Sequence, residues 1–342
     1  MPGRIRHLWL GLLIAAGLLP LYLLTYNGIY RVDDEHILGA RSQSLALWGR
    51  FEAPQVSGNG RVQSLELMGD QATQIEPLQA VLGAGLYRLG LATGGSGRQA
   101  QVTLNLYVTV LTALVMFFTI DHLGFSRGAA AMTTALFGLG SMAWPYATTY
   151  FRDSLAMLMG SVAFLGWALT SGPPSRRDKA IGASLTVAGA IGGLLTKSTM
   201  AVLLVALGIG VLGLQFRGEM GSGAIKARGL AALVAFLALC SALLLLPGNG
   251  PLARYSLSYY AFVAGHFWAS LKDGALLYAL GPFISPGRSL FLFSPPLLLL
   301  FLLPWSRRRV GWKLALPMAT FVIGLAVEQA LFYGAAWAGA FG

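Results

Sequence analysis

Apolar runs close to the length of a bilayer core recur along this chain, most of them separated by short loops. They fall at residues 8–26, 102–120, 129–147, 153–170, 180–195, 199–216, 229–247, 289–305 and 314–333. A helix needs about 20 predominantly apolar residues to cross the hydrocarbon of a membrane. Only helices and closed barrels satisfy the backbone there, and the ten-residue alternating strands of a barrel are missing. The expected fold class is therefore an all-α polytopic membrane protein with about nine transmembrane helices. Composition agrees: 56% of the 342 residues are hydrophobic and 11% charged, with mean hydropathy +0.65. Ordinary soluble domains carry about 25% charged residues.

Charge sets the expected orientation. Arg4 and Arg6 precede the first run. Later loops carry Arg176, Arg177 and Lys179, then Arg217, Lys226 and Arg228, then Arg307, Arg308, Arg309 and Lys313. Every second short loop is thus basic, which is the positive-inside pattern, with the N-terminus cytoplasmic. Topology accounts for the net charge of +11 without nucleic acid as a partner. The first run is longer than a signal-peptide core and lacks a small-x-small cleavage site before Asp33, so it reads as a retained span. Cys240 is the single cysteine and can form no intrachain disulfide. The whole chain, 1–342, reads as one membrane domain with extracytoplasmic loops at 27–101 and 248–288.

The first of those loops is where the acids gather. RVDDEHILGARSQSLALWGRFEAP places Asp33, Asp34 and Glu35 just after the first span. On a helical wheel Ile37, Leu38, Leu45 and Trp48 share one arc, with Glu35, Gln43 and Arg50 off it. That spacing predicts a helix lying in the membrane interface. Acids at its start would cap it and favour its dipole. Three in a row exceed what capping needs. Asn59-Gly60 is a weak hairpin signal, and Glu76-Pro77 opens a second short helix with Leu78, Leu82, Leu86 and Leu89 on its apolar face.

Further polar residues reach the same face. Arg152 and Asp153 open the span at 153–170, Lys197 sits in the tight turn LLTKSTM, and Arg288 lies where the span at 289–305 begins. Taken singly, each cation is a side chain snorkelling to lipid phosphates. Taken with the carboxylates Asp33, Asp34, Glu35, Glu76 and Asp153, they predict a site for a phosphorylated substrate, because charge at a membrane boundary is costly to keep.

These stretches resemble the GT-C-type glycosyltransferases, membrane enzymes that use polyprenyl-phosphate sugars and include the protein O-mannosyltransferases and the lipid A aminoarabinose transferase. VDDEHILGARSQSLALWGRF resembles the family's first-loop motif, with Asp34-Glu35 at its acidic pair. Glu76-Pro77-Leu78 is similar to an EKPPL-type element lacking its Lys and second Pro. GGLLTKSTMAVLL resembles a G-x-L-x-K-G-type turn, with Lys197 at the lysine, and FISPGRSLFLFSPPLLLL is similar to an SPGRGLF-x-x-SP segment. Arg152-Asp153 stands where many members carry Glu-Pro. The closing FYGAAWAGAFG resembles the start of a W-x-G-G-x-S-x-G-P-R-Y segment, so a C-terminally truncated member is the expectation.

The resemblance implies an inverting transfer of sugar from a polyprenyl-phosphate donor, in the membrane lipid, to an acceptor hydroxyl on a polysaccharide, lipid or protein at the extracytoplasmic face. The residue types suit that chemistry. A carboxylate takes the acceptor's proton, and Asp34, which leads the helix, is assigned as base. Asp33 is then a cap or a metal-side ligand. Lys197, Arg152 and Arg288 stand ready for the charge that develops on the departing phosphate. Asp33, Glu35 or Glu76 could hold a divalent cation, though no feature demands one and no other cofactor is implied. His36 and His266 stand alone and read as interface residues. A transporter or flippase for a lipid-linked sugar is the alternative, although no internal repeat supports it. A membrane scaffold would not need acids and cations on one face.

Overall fold

The computed structural model describes residues 2–51, 75–171 and 176–201, with isolated positions beyond. The chain divides into two compact units, residues 1–198 with 249–252, and residues 199–248 with 253–342. The following concerns the first. The expected spans beyond 201, the Asn59-Gly60 hairpin, Arg288 and His266 lie outside the described residues.

The first unit is helical throughout its described residues: α1 Pro2–Thr25, α2 Asp33–Trp48, α3 Leu78–Ala92, α4 Gly97–Val102, α5 Leu104–His122, α6 Arg127–Gly140, α7 Ala143–Ala147, α8 Arg152–Ser171 and α9 Arg176–Thr196. Among the described residues three stretches are long and apolar enough to cross a membrane: Gly97–His122, Arg152–Thr170 and Asp178–Thr196. Trp9–Thr25 and Leu78–Ala92 are shorter apolar helices.

α5 is the central element, and its sequence shows why. Leu104 and Val108 lie on one side and join Ile37, Leu38, Tyr150 and Leu155 in a core cluster. Leu106, Val110 and Ala113 lie on the opposite side and pack with Leu18, Tyr22 and Ala147. A helix apolar all round can be covered on both faces. α2 and α8 therefore meet at one side of α5, α1 and α7 at the other.

α8 and α9 form an antiparallel pair held backbone to backbone by glycines. A Cβ on Gly182 would stand 2.7 Å from the Gly166 carbonyl oxygen, and one on Gly189 would stand 2.5 Å from the Ala163 nitrogen. In lipid, where apolar burial drives little association, such close approach is what lets helices pack. It brings the first turn of α8 beside the last of α9.

Two expectations are corrected here. The apolar run at 129–147 is not one helix, because α6 ends at Gly140 and α7 starts at Ala143. Pro145 has no N–H to donate to the Ser141 carbonyl, and its ring would clash there in a continuous helix. Ser141 turns extended instead (φ −132°, ψ 177°), and its hydroxyl accepts the Ala143 N–H at 3.1 Å.

The single apolar arc of α2 is also overturned. Ile37 and Leu38 are buried, but Trp48 is 56% exposed and Glu35, expected off the arc, is 0% exposed together with Arg41 and Ser42. The polar side chains Glu35, Arg41 and Ser42 of this helix are enclosed because they find partners inside. Arg41 donates through Nε to the Phe51 carbonyl at 3.1 Å and through Nη1 to that of Ile75, with Phe51 also facing its guanidinium. Arg88 on α3 donates to the Ala46 carbonyl at 2.7 Å, fastening the two helices.

Candidate functional site

One end of the first unit gathers Glu35 of α2, Glu76 just before α3, the 148–153 segment and the end of α9. Four short structural devices assemble it.

The first is the acidic start of α2. The N-cap position falls on Val32, in extended backbone, so Asp33 is the first helical residue and not the cap. Asp34 is exposed to solvent. Glu35 turns the other way: its Oε1 accepts the Tyr150 N–H at 2.9 Å, and its Oε2 accepts the Arg31 N–H. Both oxygens of this buried carboxylate thus serve main-chain donors, which is how a buried charge is accommodated.

The second is Tyr150 itself, wholly buried. Its hydroxyl lies 2.9 Å from the Ser42 hydroxyl and donates to the Gln79 carbonyl at 3.3 Å. Gly83 passes beneath it, where a Cβ would be 1.7 Å from that oxygen. Burial pushes the phenol up to about 12. Tyr30 packs on the Tyr150 ring (centroids 5.9 Å apart) and on His36, with the Arg98 guanidinium 4.5 Å over its own ring. Burial, and next the neighbouring Tyr150 phenol, raise the Tyr30 phenol too.

The third is Glu76, fully buried. Its Oε1 accepts the Ser198 N–H at 2.7 Å, and its Oε2 pairs with Arg152 Nη1. Arg152 is the first residue of α8, where a cation opposes the helix dipole, and the Glu76 charge offsets that. Gln79 and Asn105 complete the support: Asn105 donates to the Phe151 carbonyl at 2.7 Å and accepts from Gln79 at 3.3 Å.

The fourth is the ion pair between Lys197 Nζ and Asp153 Oδ1 at 2.9 Å, across the open end of α8 and α9. The Asp153 side chain is 44% exposed whereas Glu76 is fully enclosed, and the two cations are largely buried alike.

The sequence-derived residues therefore sort into two groups. Glu76, Arg152, Asp153 and Lys197 come together. Glu35 reaches the same segment through Tyr150, two residues before Arg152, whereas Asp34 faces solvent. Glu35 and Glu76 have their oxygens engaged by backbone N–H groups and Arg152, which does not suit a cation ligand. No group of three His, Cys, Asp or Glu side chains is arranged for a metal among the described residues. His36 packs edge-on against Tyr30, with ring centroids 5.2 Å apart.

Sequence reading missed Arg41, Tyr150, Asn105 and Gln79. Arg41 alone carried a signal, as a cation in the middle of a short apolar helix. Comparison with family models, with curated proteins and with solved structures finds no match to this chain.

Proposed function

We propose that this protein is a membrane-embedded inverting glycosyltransferase of GT-C-like architecture, with about nine transmembrane helices and its site at the extracytoplasmic face. It would move a sugar from a polyprenyl-phosphate donor to an acceptor hydroxyl. The observation that supports this best is the pairing of Lys197 with Asp153 beside Arg152 and Glu76; Asp34, exposed at the start of α2, is the carboxylate the reading leaves for the base. Two cations held in place by carboxylates are set in advance for a phosphate, and need no rearrangement when charge develops on it.

In the proposed reaction the Asp34 carboxylate removes the acceptor proton as the acceptor oxygen attacks the anomeric carbon. The bond from that carbon to the phosphate oxygen breaks, and its electron pair leaves with polyprenyl phosphate. Lys197 and Arg152, with Arg288 as a further candidate, stabilise that leaving group. One displacement with no covalent intermediate inverts the anomeric centre. Glu35, Glu76 and Asp33 do not touch substrate in this scheme. Glu35 and Glu76 hold the 150–153 segment and Ser198 in register, so they are positioning residues. Incubating the purified protein with a polyprenyl-phosphate sugar should release polyprenyl phosphate in an acceptor-dependent way. Return of the donor intact, or its movement between leaflets without cleavage, would refute the reading.

A further inference from the structure

A cleft of about 420 Å³ opens where α1, α6 and α7 end, lined among others by Thr25, Arg31, Leu139, Ser141, Trp144 and Thr148. Its polar groups are unevenly matched. The Thr25 hydroxyl gives its proton to main-chain carbonyls of its own turn and accepts the Trp144 Nε1–H at 2.9 Å. Ser141 donates to the Phe137 carbonyl and Thr148 to that of Pro145. With their protons spent, these hydroxyls offer the cleft lone pairs. α1 and α6 also point their C-terminal, negative ends here, which favours a cation that can donate. On the other side stands Arg31, an exposed guanidinium with no ion pair among the described residues, which favours an anion.

The ligand that matches carries both charges a few ångströms apart. Exposed leucines stand on the same two helices: Leu24, next to Thr25 on α1, is 82% exposed, and Leu139, which lines the cleft on α6, is 45% exposed. Trp144, half-buried, lines the same cleft, and an aromatic with one polar edge suits a membrane interface. We propose that this cleft binds the headgroup of a phosphoethanolamine lipid. The phosphate lies on Arg31, and the primary ammonium lies over Trp144 against the hydroxyl oxygens and helix ends. The acyl chains run down the leucines of α1 and α6. A quaternary choline cannot donate to those oxygens, and a glycerol headgroup brings no cation. The site requires α1 and α6 to meet a membrane but does not rest on the transferase reading.

The test is native mass spectrometry of the full chain in detergent, titrated with dioleoyl phosphatidylethanolamine, phosphatidylcholine, phosphatidylglycerol and a phosphate-free diglucosyl lipid. Phosphatidylethanolamine should bind about tenfold tighter than the others. Arg31→Gln should weaken it by about tenfold. Leu139→Trp, which fills the cleft and leaves every charge in place, should abolish the difference between lipids. Both positions are exposed, so the variants should fold as wild type does. Equal retention of the three phospholipids, strongest retention of the glycolipid, or an Arg31→Gln protein that binds as wild type would each overturn the proposal.

Discussion

Replacing Glu35 separates a clamp from a catalyst. In Glu35→Ala the Tyr150 N–H, buried with its bond of 2.9 Å, loses its acceptor where no water reaches it. Such an orphaned donor costs about 1–3 kcal/mol. The Arg31 N–H is only partly buried and can turn to water, so its loss is a net hydrogen bond of about 0.5–1.5 kcal/mol. Removing a buried charge recovers some of this, because the carboxylate no longer has to be kept out of water. The expected destabilisation is then about 1–4 kcal/mol for Ala. Glu35→Gln keeps one acceptor oxygen but sets an amide N–H against a main-chain N–H, and should lose about 1–2 kcal/mol. Asp34→Asn, one residue away and exposed, should stay within about 0.5 kcal/mol of wild type. Unfolding in mixed micelles by SDS titration, followed by tryptophan fluorescence, gives the ranking. Hydrogen exchange at the Tyr150 amide gives the local readout, since opening of that contact should expose it first. A Glu35→Ala protein as stable as wild type, with unchanged Tyr150 exchange, would refute the clamp.

Asp34→Asn should lower single-turnover transfer by about 10² or more while donor affinity survives, whereas Lys197→Ala should weaken donor binding; both are read by rapid quench and donor titration. Glu76→Gln removes the charge opposite the largely buried Arg152, and should lower stability by about 3–5 kcal/mol in the same SDS titration. Gly182→Leu forces α8 and α9 apart, because even its Cβ would sit 2.7 Å from the Gly166 carbonyl, and should cost about 1–3 kcal/mol or more in that assay. The Tyr150 phenol, pushed up from 10.0 to about 12, stays neutral in the fold after an unfolded one has ionised. Its contribution is full below pH 10 and is lost as pH rises through about 12, so a wild-type protein should lose stability over that window more steeply than Tyr150→Phe.

Three of the expected spans were legible in the sequence because crossing a membrane is a one-dimensional property: apolar length measured against hydrocarbon thickness. The runs expected at 102–120, 153–170 and 180–195 lie within Gly97–His122, Arg152–Thr170 and Asp178–Thr196, with shifts of a few residues at the ends. Pro145 was legible too, and should have divided the run at 129–147, since its missing N–H is a local fact.

The acids and cations of the candidate site were likewise visible as residue types in a greasy chain. What each does was not. Glu35 meets Tyr150 across 115 residues of sequence, and Glu76 meets Ser198 across 122. Asp34 and Glu35 are neighbours with the same charge, yet one faces solvent and the other is enclosed, because a buried main-chain N–H needs an acceptor and only the tertiary arrangement brings one within reach. The wheel for α2 failed for the same reason. It assumed that polar side chains stay outside, whereas Glu35, Arg41 and Ser42 are inside, each hydrogen-bonded to main-chain groups. Hydropathy located the three long apolar helices, and a proline divided a fourth run; which charges are enclosed and which are left facing solvent was decided by the contacts between segments far apart in the chain.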